Sequence, residues 1–184
     1  ICFQSKQFDK AEDFYSRSLT LMKKLKDSKG VESSLGNLGS VYFYQGSFDK
    51  AEENYQKAMQ IMIEANDPLG QGIYSEYLGN IFLKKEEVEK AIEYYQKAKD
   101  FMSEAKQDER KIKQLDERVE TIKKSPLFLK KNEEGLLAEA DSLISTGQKT
   151  KAITKLQELE EIYFQWKRMD KVVETIQKTT TLLE

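Results

Sequence analysis

The chain has 184 residues, of which 39% are hydrophobic and 34% charged, with nine Gly, two Pro and a net charge of −2. That balance describes a mostly helical chain with no global field to draw it onto nucleic acid or anionic lipid. With no His and a single Cys, it excludes the commonest general base, an internal disulfide and a Cys-based zinc site.

The basic residues are nearly all Lys; Arg17, Arg110, Arg118 and Arg168 are the arginines. Arg is the usual reader of phosphate and guanine edges, so the composition argues further against nucleic acid. No apolar run reaches the roughly 18 residues of a membrane span, so membrane insertion is not expected. No signal peptide is evident.

The first element read along the chain is a helix opening at Phe8 with FDKAEDFYSRSLTLM. Forty residues on, Phe48 opens FDKAEENYQKAMQIM, and Val88 opens a third version. The columns are Lys10, Lys50 and Lys90; Ala11, Ala51 and Ala91; Tyr15, Tyr55 and Tyr95; Ser18, Ala58 and Ala98; Met22, Met62 and Met102. Upstream, Cys2, Tyr42 and Phe82 align. Columns kept at constant spacing indicate stacked repeats.

Each copy reads as two helices. Leu35, Leu38, Tyr42 and Phe43 recur at helical spacing, and Gln45–Ser47 then breaks the chain. Gly46 suits a left-handed helix stop and Ser47 a helix cap. Phe48, Ala51, Tyr55, Ala58, Met59 and Met62 make the stripe of the second helix. Asp9, Asp49 and Glu89 are each expected in a first turn, where negative charge suits the helix dipole. Asn66–Gly70, NDPLG, ends the unit. Gly39 and Gly79 lie inside helices, where Gly costs about 1 kcal/mol against Ala; close approach of a neighbour would justify them. Tyr42 and Tyr55 are expected to fill gaps between units, with the three repeat tyrosines largely buried.

These residues resemble the tetratricopeptide repeat. The resemblance rests on Leu38-Gly39, Tyr42, Gly46, Ala51, Tyr55 and Ala58 in copy two. In copy three it rests on Leu78-Gly79, Phe82, Ala91, Tyr95 and Ala98, with Glu86 replacing the turn glycine. The forty-residue form with Leu78-Gly79-Asn80 looks like the repeats of kinesin light chain and spindle-orientation adaptors. The resemblance implies an all-α, right-handed α-solenoid of antiparallel helical hairpins. It also implies a non-enzymatic scaffold with no cofactor, cytoplasmic and in some relatives cytoskeleton-associated.

The family's first helices line a concave face that contacts partners. Carried over by position, that face holds Ser33, Asn37, Ser40 and Tyr44 in copy two, and Glu76, Tyr77, Asn80 and Lys84 in copy three. Asn37, Ser40, Tyr44, Tyr77, Asn80 and Lys84 are the candidate protein-binding residues. Gly36, Ile73 and Tyr77 stand where the carboxylate-gripping subset of the family needs its bases, so that clamp is missing.

Past Lys106 the register changes. Ile112, Leu115, Val119 and Ile122 form a helix face, Ser125-Pro126 ends it, and a helix from about Leu127 to Ser145 follows. Gly147, Ala152, Leu156 and Leu159 restore the second-helix pattern, with Leu136, Ala140 and Leu143 as its first helix. This divides the chain into repeats over 1–106, an extra linking helix over 107–125, and a degenerate hairpin plus capping helix over 126–184. The last helix, Met169 to Leu183, shows Val172, Val173, Ile176 and Leu183. By register Ile1 falls midway through a first helix, so an excerpt of a longer chain is expected.

Other features have two readings each. The acid pairs Glu52-Glu53, Glu86-Glu87, Glu133-Glu134 and Glu160-Glu161 could be acid–base pairs, but Lys-rich helices without a nucleophile make them a solvated face. The Met column is core or a soft binding strip. Ser125 in KKSPLFLKK is a helix cap or a phosphorylation site. Tyr163, Phe164 and Trp166 are packing under the last helix or an exposed patch, and Cys2 is a small core residue. The function expected is a scaffold binding a partner peptide or helix in the concave groove. The alternative is a permanent structural subunit of a motor, cytoskeletal or axonemal assembly, using edges and convex faces.

Overall fold

The structure, a computed structural model, describes the backbone of residues 2–165 and 167–183, and the side chains of 7–164, 167–168 and 170–183. Among these residues it is all-α, with nine helices and no strand: α1 (Cys2–Leu25), α2 (Ser28–Tyr44), α3 (Phe48–Glu64), α4 (Pro68–Lys84), α5 (Val88–Glu104), α6 (Glu109–Lys123), α7 (Pro126–Ser145), α8 (Lys149–Gln165) and α9 (Met169–Leu183). The chain divides into two compact units, residues 1–122 and 123–184. No described helix is long and apolar enough to cross a membrane.

In the first unit α2–α3 and α4–α5 are antiparallel hairpins, each closed by one left-handed residue. Gly46 has φ 77° and Glu86 φ 61°. The Ser47 and Glu87 amides reach back to the Tyr42 and Phe82 carbonyls at 2.8 and 2.9 Å. Those bonds satisfy carbonyls that a helix end leaves orphaned. Glu86 keeps the geometry that glycine adopts freely; its Cβ makes the residue costlier there, and hairpin packing offsets the cost. The junctions between copies use the same device at Lys26, Asn66 and Lys106. Asp27 and Asp67 then cap the next helix, accepting from the Gly30 and Gly70 amides at 3.0 and 3.1 Å. Ser47, in contrast, occupies the cap position of α3 without a side-chain cap bond.

The small-residue columns are the seams. Ala51, Ala58, Ala91 and Ala98 are fully buried, as are Leu78, Ile81 and Tyr95. A Cβ on Gly39 would lie 2.6 Å from the Tyr55 ring, and one on Gly79 would lie 3.0 Å from the Tyr95 ring. The Met column is packing: Met22 and Met62 lie over Gly30 and Gly70, and Met102 lies over Gly72. α6 is tied to the preceding hairpin through Lys99 to Asp116 and Lys111 to Glu76, at 2.7 and 2.9 Å. Leu115, Val119 and Ile122 are its buried face.

The second unit is the α7–α8 hairpin followed by α9. Gly147, φ 73°, makes the turn. Leu136, Ala140, Leu156, Leu159, Ile162, Tyr163 and Val172 form its core. Ser125 caps α7, accepting from the Phe128 amide, with Pro126 at the first helical position.

Several expectations are corrected. α1 is continuous from Cys2, so Asp9 lies inside a helix rather than in a first turn. The backbone keeps its helical bonding through the position that corresponds to Gly46, where the first helix of copy two ends. Tyr15 is only half-buried: α2 covers it on one side, as α4 covers Tyr55, and no described helix plays the part that α2 plays for Tyr55. On α9 the buried face is Val172, Thr175 and Thr179, whereas Val173, Ile176 and Leu183 are exposed. The threonines can be buried because their hydroxyls donate to carbonyls one turn back, Lys171 and Thr175. Tyr163 is buried and Phe164 is 68% exposed. Trp166 and the Cys2 side chain lie outside the described residues.

The acid pairs are not a uniformly solvated face. One member of each is half-buried and engaged: Glu52 by Lys85, Glu87 by Lys90, Glu133 by the Tyr163 hydroxyl and Glu160 by the Thr179 hydroxyl. Their partners in sequence point to solvent, since adjacent helix positions face about 100° apart.

Candidate functional site

The candidate site lies within the first unit, where α2, α3 and α4 meet. Ser40, Phe43 and Tyr44 of α2, Tyr55 of α3, and Tyr77 and Asn80 of α4 line one cavity of about 160 Å³. Two successive copies contribute to it, so it exists only because they stack. Four of the six residues expected from the sequence, Ser40, Tyr44, Tyr77 and Asn80, are brought together here. Asn37 faces an adjoining hollow of about 310 Å³, which shares Ser40 and Tyr44 and is completed by Tyr15 and Phe8 of α1. Lys84 lines neither; it is exposed in the last turn of α4, one turn beyond Asn80.

Two of the lining rings, Tyr55 and Tyr77, cluster with a third, Tyr74. Tyr55 lies 5.0 Å from Tyr77 and 6.0 Å from Tyr74 between centroids, and Tyr74 and Tyr77 meet edge-on at 6.0 Å. The edge-on pair places a ring edge on a ring face, and the tilted pairs avoid the disfavoured face-to-face sandwich. The Tyr74 hydroxyl donates to Glu32, joining α4 to α2.

The same polar clip recurs in both hairpins. Tyr55 and Ser40 are joined hydroxyl to hydroxyl at 3.0 Å. The Ser40 hydroxyl also contacts the Gly36 carbonyl at 3.1 Å. One copy on, the Tyr95 hydroxyl donates to Asn80 Oδ1 at 2.8 Å, and Arg118 Nη1 donates to the same oxygen at 3.0 Å. Two donors on one oxygen settle which end of the carboxamide faces them, and leave the Asn80 NH₂ without a hydrogen-bond partner among the described residues. Arg118 also stands over the Tyr95 ring at 5.4 Å, where Tyr77 stands for Tyr55. Glu76 is neutralised by Lys111 at 2.9 Å and Arg118 at 3.5 Å.

Tyr44 is 72% exposed and Tyr77 39% exposed. Neither their hydroxyls nor the Asn37 carboxamide hydrogen-bonds another described residue. Sequence reasoning assigned Tyr55 only a packing role and left out Phe43, Tyr74 and Arg118. The repeated Tyr column could have signalled Tyr55; no sequence signal marks Arg118, which reaches the site from a helix outside the repeat pattern.

Burial raises the pKa of Tyr55, Tyr74 and Tyr95, and the Glu32 carboxylate raises Tyr74 further. These groups are neutral when protonated. Above the ordinary value of 10.0 the unfolded chain therefore releases protons that the folded chain retains. The stabilisation is fully present below pH 10 and is lost as the pH rises beyond it. Alkaline titration, followed together by tyrosinate absorbance and helical circular dichroism, is expected to show buried tyrosines ionising only as helix is lost. Ionisation of all nine tyrosines with full helicity would contradict that.

Tandem antiparallel helical hairpins with small residues at the seams place the molecule among helical repeat proteins. The tetratricopeptide repeat model matches residues 1–64 and a second model of the same repeat matches residues 78–101; over those residues the chain is built of tetratricopeptide repeats. No curated protein sequence matches the chain. Among solved structures, it is similar to BtubC (BKLC) from P. vanneervenii at 17% identity and TM-score 0.55, covering 95% of this chain and 73% of that one. A Rap protein complexed with competence and sporulation factor matches at 17% identity and TM-score 0.58, over 97% of this chain and 48% of that one. The TPR-like repeats ascribed to a kinesin light chain of Podosopora anserina match at 13% identity and TM-score 0.50, over 98% and 89%. At these identities the likeness is one of fold. The chain spans about half the length of the Rap protein.

Proposed function

We propose that the first unit is a protein-interaction module that holds a segment of a partner protein on the face formed by α2 and α4. The observation that carries this is the single cavity built by Ser40, Tyr44, Tyr77 and Asn80 from two successive copies. Tyrosine supplies large, rigid contact area at low entropic cost, and Asn37 and the Asn80 NH₂ supply hydrogen bonds to backbone. Tetratricopeptide repeats act as interaction modules without catalysis, and the Rap relative, solved in a complex, is a precedent for the fold. A cytoplasmic setting, with cytoskeletal association as in kinesin light chain, belongs to the same proposal.

A second reading, a structural subunit that contacts neighbours by its edges, is favoured by Phe14, Leu21 and Leu25 on α1, which are 65%, 51% and 63% exposed. Changing Asn37, Tyr77 and Asn80 together to Ala separates the two. Partner capture by the folded triple variant is expected to fall by about tenfold or more, as for loss of central aromatic anchors. Because the face carries little unpaired charge, binding is expected to weaken only modestly with salt. Capture that survives the triple change unaltered assigns binding to the edges.

A further inference from the structure

We propose that the segment held on this face is a proline-rich chain in the polyproline II conformation. The inference rests on the groove reading above and names the class of partner that the groove fits.

Hydrogen-bond supply is the first argument. The carbonyl of Asn80 is used twice, by Tyr95 and Arg118, and Ser40 is engaged by Tyr55 and Gly36. What remains is weighted towards donors: the Asn80 and Asn37 NH₂ groups only donate, whereas the Tyr44 and Tyr77 hydroxyls can donate or accept. Asn37 alone keeps a free carboxamide carbonyl. A proline-rich backbone is the complementary surface, because each proline offers a carbonyl and no N–H. A helical partner has spent its carbonyls internally, and an extended strand brings N–H groups as well, for which the face keeps only the Asn37 carbonyl and the two tyrosine hydroxyls.

Spacing is the second argument. The two hollows share Ser40 and Tyr44 and lie in successive grooves of the stacked helices. Packed helices stand about 8–10 Å apart. A polyproline II chain rises about 3.1 Å per residue with three residues per turn, so side chains at i and i+3 fall on one face about 9 Å apart. An extended strand puts same-face side chains at about 7 Å, short of that span. A helix reaches about 10 Å at i and i+7, but fails on the carbonyl argument.

Surface chemistry is the third. Exposed tyrosine rings with an adjacent amide donor are how aromatic grooves hold proline rings. Glu76 is paired, so no free carboxylate on α4 selects a cationic side chain. The partner segment is therefore uncharged where it crosses Tyr44 and Tyr77.

The test is calorimetric titration of the full chain with an acetylated nonaproline amide, beside an alanine-rich helical peptide and a glycine–serine peptide of equal length. Nonaproline is expected to bind most tightly, and Tyr77→Ala, its fold checked by circular dichroism, to weaken it at least about tenfold. Tyr77→Phe keeps the ring and removes one donor, and should weaken binding about two- to tenfold. No binding of nonaproline, or binding indifferent to Tyr44→Ala and Tyr77→Ala, overturns the proposal. Tighter, Tyr77-dependent binding of the helical peptide overturns it too, while leaving the groove as the binding face. The groove itself fails only if partner capture survives the Asn37, Tyr77 and Asn80 triple change.

Discussion

Tyr95→Ala is expected to destabilise the first unit by about 3–5 kcal/mol, the usual cost of truncating a buried aromatic side chain. Tyr95 has no exposed surface, lies against Gly79, donates to Asn80 and sits beneath Arg118. Removing it opens a cavity and strips the hydroxyl that holds Asn80. It also leaves Arg118 without its ring, so α6 should loosen along with the α4–α5 hairpin. Tyr15→Ala, one end of the same column, should cost clearly less, because Tyr15 is only half-buried. Thermal or urea unfolding of the two variants checks this. Equal losses would mean that sequence column, and not the depth of packing around each copy, sets the energy.

Gly39→Leu is expected to cost about 1–3 kcal/mol or more by overpacking. Gly39→Ala is the finer probe. Helix propensity alone would make it stabilising by about 1 kcal/mol. However, its Cβ would meet two atoms of the Tyr55 ring at 2.6 Å, and that ring is 3% exposed and bonded to Ser40, so it has no free path of retreat. The melting temperature should therefore fall. Gly135, inside α7 with nothing within 4 Å of a Cβ, is the control: Gly135→Ala should stabilise the second unit by about 0.5–1 kcal/mol. Matching gains at both glycines would refute close packing at Gly39.

Much of this was legible in advance because a forty-residue period repeats the same packing problem. Ala51 and Ala91 must be small for the same reason, and Gly39 and Gly79 must lack a Cβ for the same ring. The acid pairs were harder to read. Glu52 and Glu53 are chemically identical, and only the angle between successive helix positions sends one between helices to Lys85 and the other to the exposed Lys57 one turn along its own helix. The last helix misled for a related reason: Val173 and Ile176 are the more apolar side chains, yet Thr175 and Thr179 take the buried face because their hydroxyls bond within the helix.

For the site, the sequence by itself supplied the repeat register, and the resemblance to the tetratricopeptide repeat carried over onto it Asn37, Ser40, Tyr44, Tyr77, Asn80 and Lys84 as candidates. The tertiary structure decided which of them still have hydrogen-bonding capacity. Ser40 and the Asn80 carbonyl are consumed by tyrosines fifteen residues away, and Asn80 also by Arg118 from a helix outside the repeats. Periodicity fixes direction along one helix, a local property of the backbone. Hydrogen-bond partners are chosen between helices, by stacking distances that no single segment encodes.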